Sequence, residues 1–496
     1  MPLTPNAIFQ DLKNKDLDKH SAIELLISLV DNAENADTRI QSLGILNRIQ
    51  VEDEKTFRFL EHLLISDLNE DVRKLTCKVI QNHYHENALD PMIWALEHET
   101  SLKCLITIIS SIAKIENTKT KSVLVKKLIK FQKKRSNSLL KDLIEEDHIN
   151  RMSTNELAEM LINHYIITSL KKKFGYFKFI TNEVGLIREL DLSNIERYSS
   201  GLNKLENYLE SIFSLRDLRK CDLRFNHLTK IPKEFKSSLE YLDLSYNKLV
   251  KLPDLQNFIL IKTLNLKSNR LRELPNSIGS LSTLEVFNLR NNVISHLPES
   301  IKSLTSLKTL DLHGNKFNDI TVSLSNSVTE LELGWNNLKS IPNSIKSLLS
   351  LEKLGLGGNK ILELPEWLSN FTLLKELDLY DNNLFKVPES IGSLKSLEKL
   401  NLRNNQLTKL PTSFLNLRSL KNLNLSWNSF MVLPKWIGSL SALEELNLWG
   451  NRLETLPESI ALLSSLKILD LNFNKIEQIP PSLRELERNN ELIIKL

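Results

Sequence analysis

From Leu218 onward the chain repeats one arrangement of apolar and polar positions. A leucine, two variable residues, a leucine, one variable residue and a leucine are followed by two variable residues, an asparagine, one variable residue and a leucine. The stretch LEKLNLRNNQLTKL, Leu397 to Leu410, is its clearest copy. The asparagines fall at Asn226, Asn247, Asn269, Asn292, Asn315, Asn336, Asn359, Asn382, Asn405, Asn428, Asn451 and Asn474, twelve copies, the last seven spaced by 23 residues. In Leu400-Asn401-Leu402 apolar and polar positions alternate, the period of a half-buried strand, so the leucines face inward and Lys399, Asn401 and Arg403 face out. The asparagine amide both donates and accepts, which suits it to backbone groups where the chain turns out of a sheet. The twelve asparagines therefore read as a structural ladder. Leu407 and Leu410 fill the core. Pro411 starts a return limb on which P-x-S-I-x-S-L recurs, as at Pro275 to Leu281 and Pro388 to Leu394, predicting a short helix or 3₁₀ turn. No repeat covers its own apolar face, so the stack is the folding unit and needs caps at both ends.

This module resembles the leucine-rich repeat of the plant intracellular Ras-group and Ras-scaffold type, and the resemblance covers residues 218–480. It implies an α/β solenoid, a leucine-rich-repeat horseshoe with parallel strands on its concave face. It further implies an intracellular, non-enzymatic protein–protein interaction scaffold or adaptor, with a small GTPase as the partner class.

Residues 1–170 lack the phrase and read as helices. Ala22-Ile23-Leu25-Leu26-Leu29 and Phe59-Leu60-Leu63-Leu64 have amphipathic helical spacing. A longer period is also present, since Thr38-Arg39-Ile40 and Val72-Arg73-Lys74 lie 34 residues apart and a third copy starts at Leu102-Lys103. Asp67 precedes Arg73 by six residues, which resembles the HEAT repeat and its Asp–Arg ladder between adjacent turns. An all-α HEAT-like domain is expected there, an irregular helical bundle being the alternative. Residues 171–217 read as an N-terminal cap with a degenerate first repeat, in which Ile195 replaces the asparagine. Residues 481–496 read as a closing cap.

Composition narrows the function. A net charge of +4 with 25% charged residues does not suit a chain built for nucleic acid. Cys77, Cys104 and Cys221 are too few and scattered for a disulfide framework or a zinc site. The chain starts without a signal-peptide apolar run, and its longest uncharged apolar stretch, Cys104 to Ala113, is too short to span a membrane. A cytoplasmic protein without a transmembrane segment is expected. The densest basic run, from Lys119, Lys121, Lys126, Lys127 and Lys130 to Lys133, Lys134 and Arg135, reads as the solvated face of an amphipathic helix. The segment from Lys119 to Lys141, together with Lys171 to Lys173, is also the feature that would serve an adaptor for nucleic acid or anionic membrane.

No Gly-Lys-Ser or Gly-Lys-Thr, HExxH or G-x-S-x-G occurs, and no cysteine follows Cys221. His83 and His85 are two residues apart and would face different sides of a helix. The expectation is a non-enzyme without cofactor or metal; a regulatory subunit of a separate phosphatase or GTPase is a further alternative. Function then falls to the variable strand positions, which a concave parallel sheet exposes together. Lys267, Arg290 and His313 form a basic run in consecutive repeats, continued farther on by Arg403. Trp335, Tyr380, Trp427 and Trp449 place large aromatics on the exposed strand edge, as interface anchors are placed. Gly355, Gly357 and Gly358 are expected to leave a bare floor between Trp335 and Tyr380, open to a protein partner.

Overall fold

The computed structural model describes residues 4–115, 118–132, 146–198, 204–233, 238–488 and 492–496. They divide into two compact units, one of residues 1–190, 198–203 and 207–218, the other of 191–197, 204–206 and 219–496.

The first unit is helical. Its helices are α1 (Pro5–Asn14), α2 (Lys19–Asn32), α3 (Ala36–Leu46), α4 (Glu54–Ser66), α5 (Glu70–His83), α6 (Leu89–His98), α7 (Leu102–Ala113), α8 (Thr118–Gln132), α9 (Glu146–Arg151), α10 (Thr154–Phe174) and α11 (Leu209–Phe213). Their starts follow from side chains that accept the first free N–H groups: Asp18, Asn35, Asp53, Asn69, Ser101 and Ser153 cap α2, α3, α4, α5, α7 and α10. Leucines and isoleucines at helical spacing, among them Leu26, Leu43, Leu60, Ile80 and Ile109, are wholly buried between the layers.

Arg39 and Arg73, 34 residues apart, each pair with a carboxylate at the end of a later helix, Asp67 after α4 and Glu99 after α6. The Asp67 carboxylate takes the Arg39 guanidinium. Arg73 reaches the Asp67 carbonyl at 2.7 Å and holds Glu99 through Nε and Nη2 at 2.8 and 2.9 Å. His83 closes α5 and meets the Asn47 carbonyl at 3.3 Å, while His85 lies beyond the helix. Of the basic run, Lys119 to Lys130 lie on α8, and Lys133, Lys134, Arg135 and Lys141 fall outside the described residues. α10 continues past residue 170 to Phe174 before β1 (Lys178–Thr181), a turn at Asn182–Gly185 and β2 (Ile187–Asp191).

The second unit is the repeat stack. Strands of three residues, β3 (Lys220–Asp222) through β15 (Ile493–Lys495), follow one another across the sheet in chain order. Their pairing is parallel and in strict register, as in Glu376↔Lys399, Leu377↔Leu400 and Asp378↔Asn401. The fourth and sixth places of each phrase, leucine except for Cys221 and Phe287, are buried, and Phe317, Phe371, Phe414 and Phe430 are fully buried beside them. On the return limb the P-x-S-I phrase forms 3₁₀ turns such as Asn276–Ser280, Glu389–Ser393 and Glu458–Leu462. Asn405 shows the ladder in full. Its Nδ2 donates to the carbonyls of Leu379, Leu402 and Arg403 at 3.0, 3.1 and 3.2 Å, and its Oδ1 accepts the Leu384 N–H at 3.0 Å. Each asparagine thus ties its own turn to the preceding repeat. Beyond the last repeat, α12 (Pro481–Arg488) buries Leu483 and β15 pairs with the strand before it.

Candidate functional site

Three places of the phrase face the open side of the sheet: the third, fifth and seventh, where Lys399, Asn401 and Arg403 stand in one repeat. The fifth is acidic or amide for a local reason. Its side-chain oxygen accepts the N–H two residues on: Asp243 from Ser245 at 2.8 Å, Asn265 from Lys267 and Asn401 from Arg403 at 3.1 Å, Asn288 from Arg290, Asp311 from His313 and Asn447 from Trp449 at 3.0 Å. This is the Asx turn, and it ends the strand and fixes the direction of the seventh side chain. The two repeats without Asp or Asn there, with Glu332 and Gly355, are the two that have glycine at the seventh place, Gly334 and Gly357.

The eighth place is left-handed in every repeat, from Phe225 (φ 57°) and Tyr246 (φ 56°) through Trp335 (φ 51°) and Trp427 (φ 53°) to Phe473 (φ 55°). Glycine at Gly314, Gly358 and Gly450 is therefore a conformational choice. Where a bulky residue takes this costlier backbone, its ring is turned out along the edge: Phe225, Trp335, Trp427 and Phe473 are 50%, 53%, 47% and 77% exposed.

Around repeats five to eight the sheet is not bare. Tyr380 lies over Gly357, so that a Cβ there would overlap its ring, and Glu332 covers Gly355 in the same way. A Cβ on Gly358 would press on the Trp335 indole. Trp335 Nε1 donates to the Tyr380 hydroxyl, with ring centroids 6.5 Å apart. The glycines thus make room for two linked aromatics, which corrects the expected open floor. A depression of about 450 Å³ beside them is lined by Arg290, His313, Gly355, Gly357 and Tyr380 together with Asp311, Glu332, Lys353 and Asp378. Burial raises the carboxyls of Asp311, Glu332 and Asp378 above the usual range, against the pull of nearby cations. Burial, then Arg290 and Lys267, push His313 down to about 4, so the expected basic run carries charge at Lys267 and Arg290 only.

Two further aromatic groups lie along the same edge. Phe225 stacks on Tyr246 at 4.3 Å, with Lys267 Nζ 5.5 Å from the Tyr246 ring. Trp449 meets Trp427 edge-on at 4.7 Å and Phe473 at 5.4 Å, and Arg403 lies 5.9 Å from its ring. The twelve-fold pattern thus places the eleven residues expected from the sequence on the open face and its adjoining edge: Gly355 at the fifth place, Lys267, Arg290, His313, Gly357, Tyr380, Arg403 and Trp449 at the seventh, and Trp335, Gly358 and Trp427 at the eighth. Phe225, Tyr246 and Phe473 join them, and the signal for these was their eighth place in the phrase.

The opposite edge carries a second regularity that only alignment of the repeats exposes. The second place reads Arg219, Glu240, Lys262, Glu285, Lys308, Thr329, Glu352, Lys375, Glu398, Lys421, Glu444 and Lys467. Neighbours pair at 2.8 Å (Lys262–Glu240), 2.7 Å (Lys308–Glu285), 2.6 Å (Lys375–Glu352), 2.8 Å (Lys421–Glu398) and 2.5 Å (Lys467–Glu444). Exposed pairs of this kind stabilise little. Their effect is to cancel charge along that edge.

Comparison with known proteins agrees with this geometry. Family models match four stretches: a leucine-rich repeat region at residues 366–454, leucine rich repeats at 259–317 and 238–258, and a two-copy leucine rich repeat at 441–485. The chain is 34% identical over 114 residues to Dictyostelium discoideum "Probable inactive serine/threonine-protein kinase roco10" and 40% identical over 70 residues to Homo sapiens Toll-like receptor 9. Those alignments cover 22% and 13% of this chain, and only 4% and 7% of the relatives' own lengths. A solved Leptospira interrogans LRR protein is 32% identical over 65% of this chain and 94% of its own, with a TM-score of 0.48. Among the described residues no helix is long and apolar enough to cross a membrane.

Proposed function

We propose, from the premise that this chain is a leucine-rich-repeat protein, that it is a non-catalytic scaffold whose repeat stack binds a protein partner along the aromatic edge of its concave sheet. The observation that carries this reading is the exposure of Trp335, Trp427 and Phe473 on a left-handed backbone that their side chains make more costly. After packing on Tyr380 and Trp449 these rings still expose about half or more of their surface, which is the apolar area a partner would cover. The second-place ladder supports the same edge, because it leaves the opposite one electrically neutral. The Arg39–Asp67 and Arg73–Glu99 pairs support reading the first unit as HEAT-like helical pairs. Its cysteines are buried free thiols, which suits a reducing compartment, and the cytoplasm is the proposed place of action. A small GTPase is the partner class that the Ras-group resemblance suggests.

The test starts from a partner captured on the full chain. Trp335→Ala with Tyr380→Ala should weaken its binding at least about tenfold, roughly 1.4 kcal/mol, with the thermal midpoint nearly unchanged. Equal binding by parent and double variant places the interface elsewhere.

A further inference from the structure

The cations of the sheet face fall into two classes. Those at the second and third places are paired, as in Lys353 with Glu332 and Lys399 with Glu376. At the seventh place Arg224 pairs with Asp222 at 3.0 Å, whereas Lys267, Arg290 and Arg403 have no carboxylate within ion-pair distance among the described residues, and Lys267 and Arg403 rest on aromatic rings. Arg403 is exposed, and none of the carboxylates around it lies within ion-pair distance of it among the described residues. Asp381 accepts from Asn404 at 2.6 Å, Glu445 from Asn422 at 2.7 Å, and Asp470 from Asn472 at 2.9 Å. Asn424 and Asn447 spend their Oδ1 atoms on Ser426 and Trp449, and their Nδ2 groups have no acceptor among the described residues. One end of the edge therefore offers a free guanidinium, two free amide donors and the Trp427–Trp449–Phe473 cluster. Its carboxylates Asp381, Glu445 and Asp470 are hydrogen-bonded to neutral amides and not to Arg403.

We infer that this end of the concave edge binds an extended segment of a partner protein in which an Asp or Glu is followed by bulky apolar side chains. The carboxylate seats on Arg403, a bidentate donor held in place by the Trp449 ring. The apolar side chains cover Trp427 and Phe473. Main-chain carbonyls of the segment accept from Asn424 and Asn447. Adjacent parallel strands are about 4.8 Å apart, so Arg403 to Phe473, three repeats, spans roughly 14 Å, or about four residues of extended chain. The recognised motif is that short. The inference rests on the concave edge being the binding face and names the chemistry of what it takes.

The probe is a set of three fluorescein-labelled peptide pools tested on the full chain by anisotropy. Each pool has fixed Leu and Phe positions within four residues of one fixed residue: Glu, its neutral isostere Gln, or Lys. The Glu pool should bind at least about tenfold tighter than the Gln pool, and the Lys pool should bind weakest. Arg403→Gln should abolish the preference of Glu over Gln while leaving the Gln pool's affinity within about threefold. Trp427→Ala and Phe473→Ala should weaken the Glu and Gln pools alike, and Arg403→Glu should turn the preference toward Lys. Equal binding of the three pools, absence of binding by all of them, or a Glu preference untouched by Arg403→Gln overturns the inference. If the Glu preference holds at Arg403 while the captured partner ignores the Trp335 and Tyr380 double substitution, only the placement of that partner fails. If the partner is lost and the pools show no preference, only the acidic motif fails.

Discussion

Asn405→Ala measures how much the asparagine ladder contributes, and the structure sets its size. Asn405 is 9% exposed. Its loss removes a second donor from the Leu379 and Leu402 carbonyls, which keep the amides of Asn382 and Asn428 at 3.2 and 2.9 Å. The Arg403 carbonyl keeps the backbone N–H of Asp381 at 2.8 Å. Only the Leu384 N–H is orphaned outright, since Asn405 Oδ1 is its acceptor. An orphaned buried donor costs about 1–3 kcal/mol and each weakened acceptor a few tenths more, so the substitution should destabilise by about 2–4 kcal/mol. Asn405→Asp keeps an acceptor for Leu384 but sets a charge against three carbonyl oxygens, and should be at least as harmful at neutral pH. Asn474→Ala, in the half-buried last rung, should cost about 1 kcal/mol. Urea unfolding followed by circular dichroism gives the global effect, and hydrogen exchange at the Leu384 amide gives the local one. An unchanged urea midpoint with Leu384 as protected as in the parent would falsify the claim that this side chain holds the turn.

Three further outcomes are expected. His313 should remain neutral through mild acid; its folded pKa lies below the unfolded value, so stability falls with falling pH from about 6.5 toward 4, because the unfolded chain takes the proton first. A nuclear-magnetic-resonance titration midpoint of 6.5 or above, the ordinary histidine value, contradicts this. Gly358→Ala should destabilise by about 1–2 kcal/mol, since a Cβ there is strained at φ 68° and meets the Trp335 ring, and it should weaken partner binding by displacing that ring; equal stability and equal binding would show that the turn relaxes freely. A fragment of residues 171–496 should keep the circular dichroism of the stack yet bind a hydrophobic dye, because Leu209, Ile212 and Phe213 on α11 belong to the compact unit whose helices it lacks. Dye binding no greater than that of the full chain counts against assigning α11 to the helical unit.

The repeat stack was legible because its signal is summed twelve times. Leucines at fixed places can be satisfied only by neighbours with leucines at the same places, and an asparagine at every strand end has one use for its two hydrogen-bonding atoms. The phrase therefore determined strand direction, register and which side chains share the open face, including Tyr380, Arg403 and Trp449, with Trp335 on the edge beside them. What it did not determine depends on contacts between repeats or on a backbone angle that no single residue type announces. Gly355 and Gly357 read as empty floor, but a ring and a carboxylate from neighbouring strands lie over them. His313 looked cationic beside Lys267 and Arg290, yet burial and those same cations hold it neutral. In the helical unit, Asp67 and Arg73 are six residues apart in the sequence, but the Asp67 carboxylate pairs with Arg39 and the Arg73 guanidinium with Glu99. Side-chain chemistry and period were enough to place residues on a face; which of them touch, and which charge survives, was decided by packing.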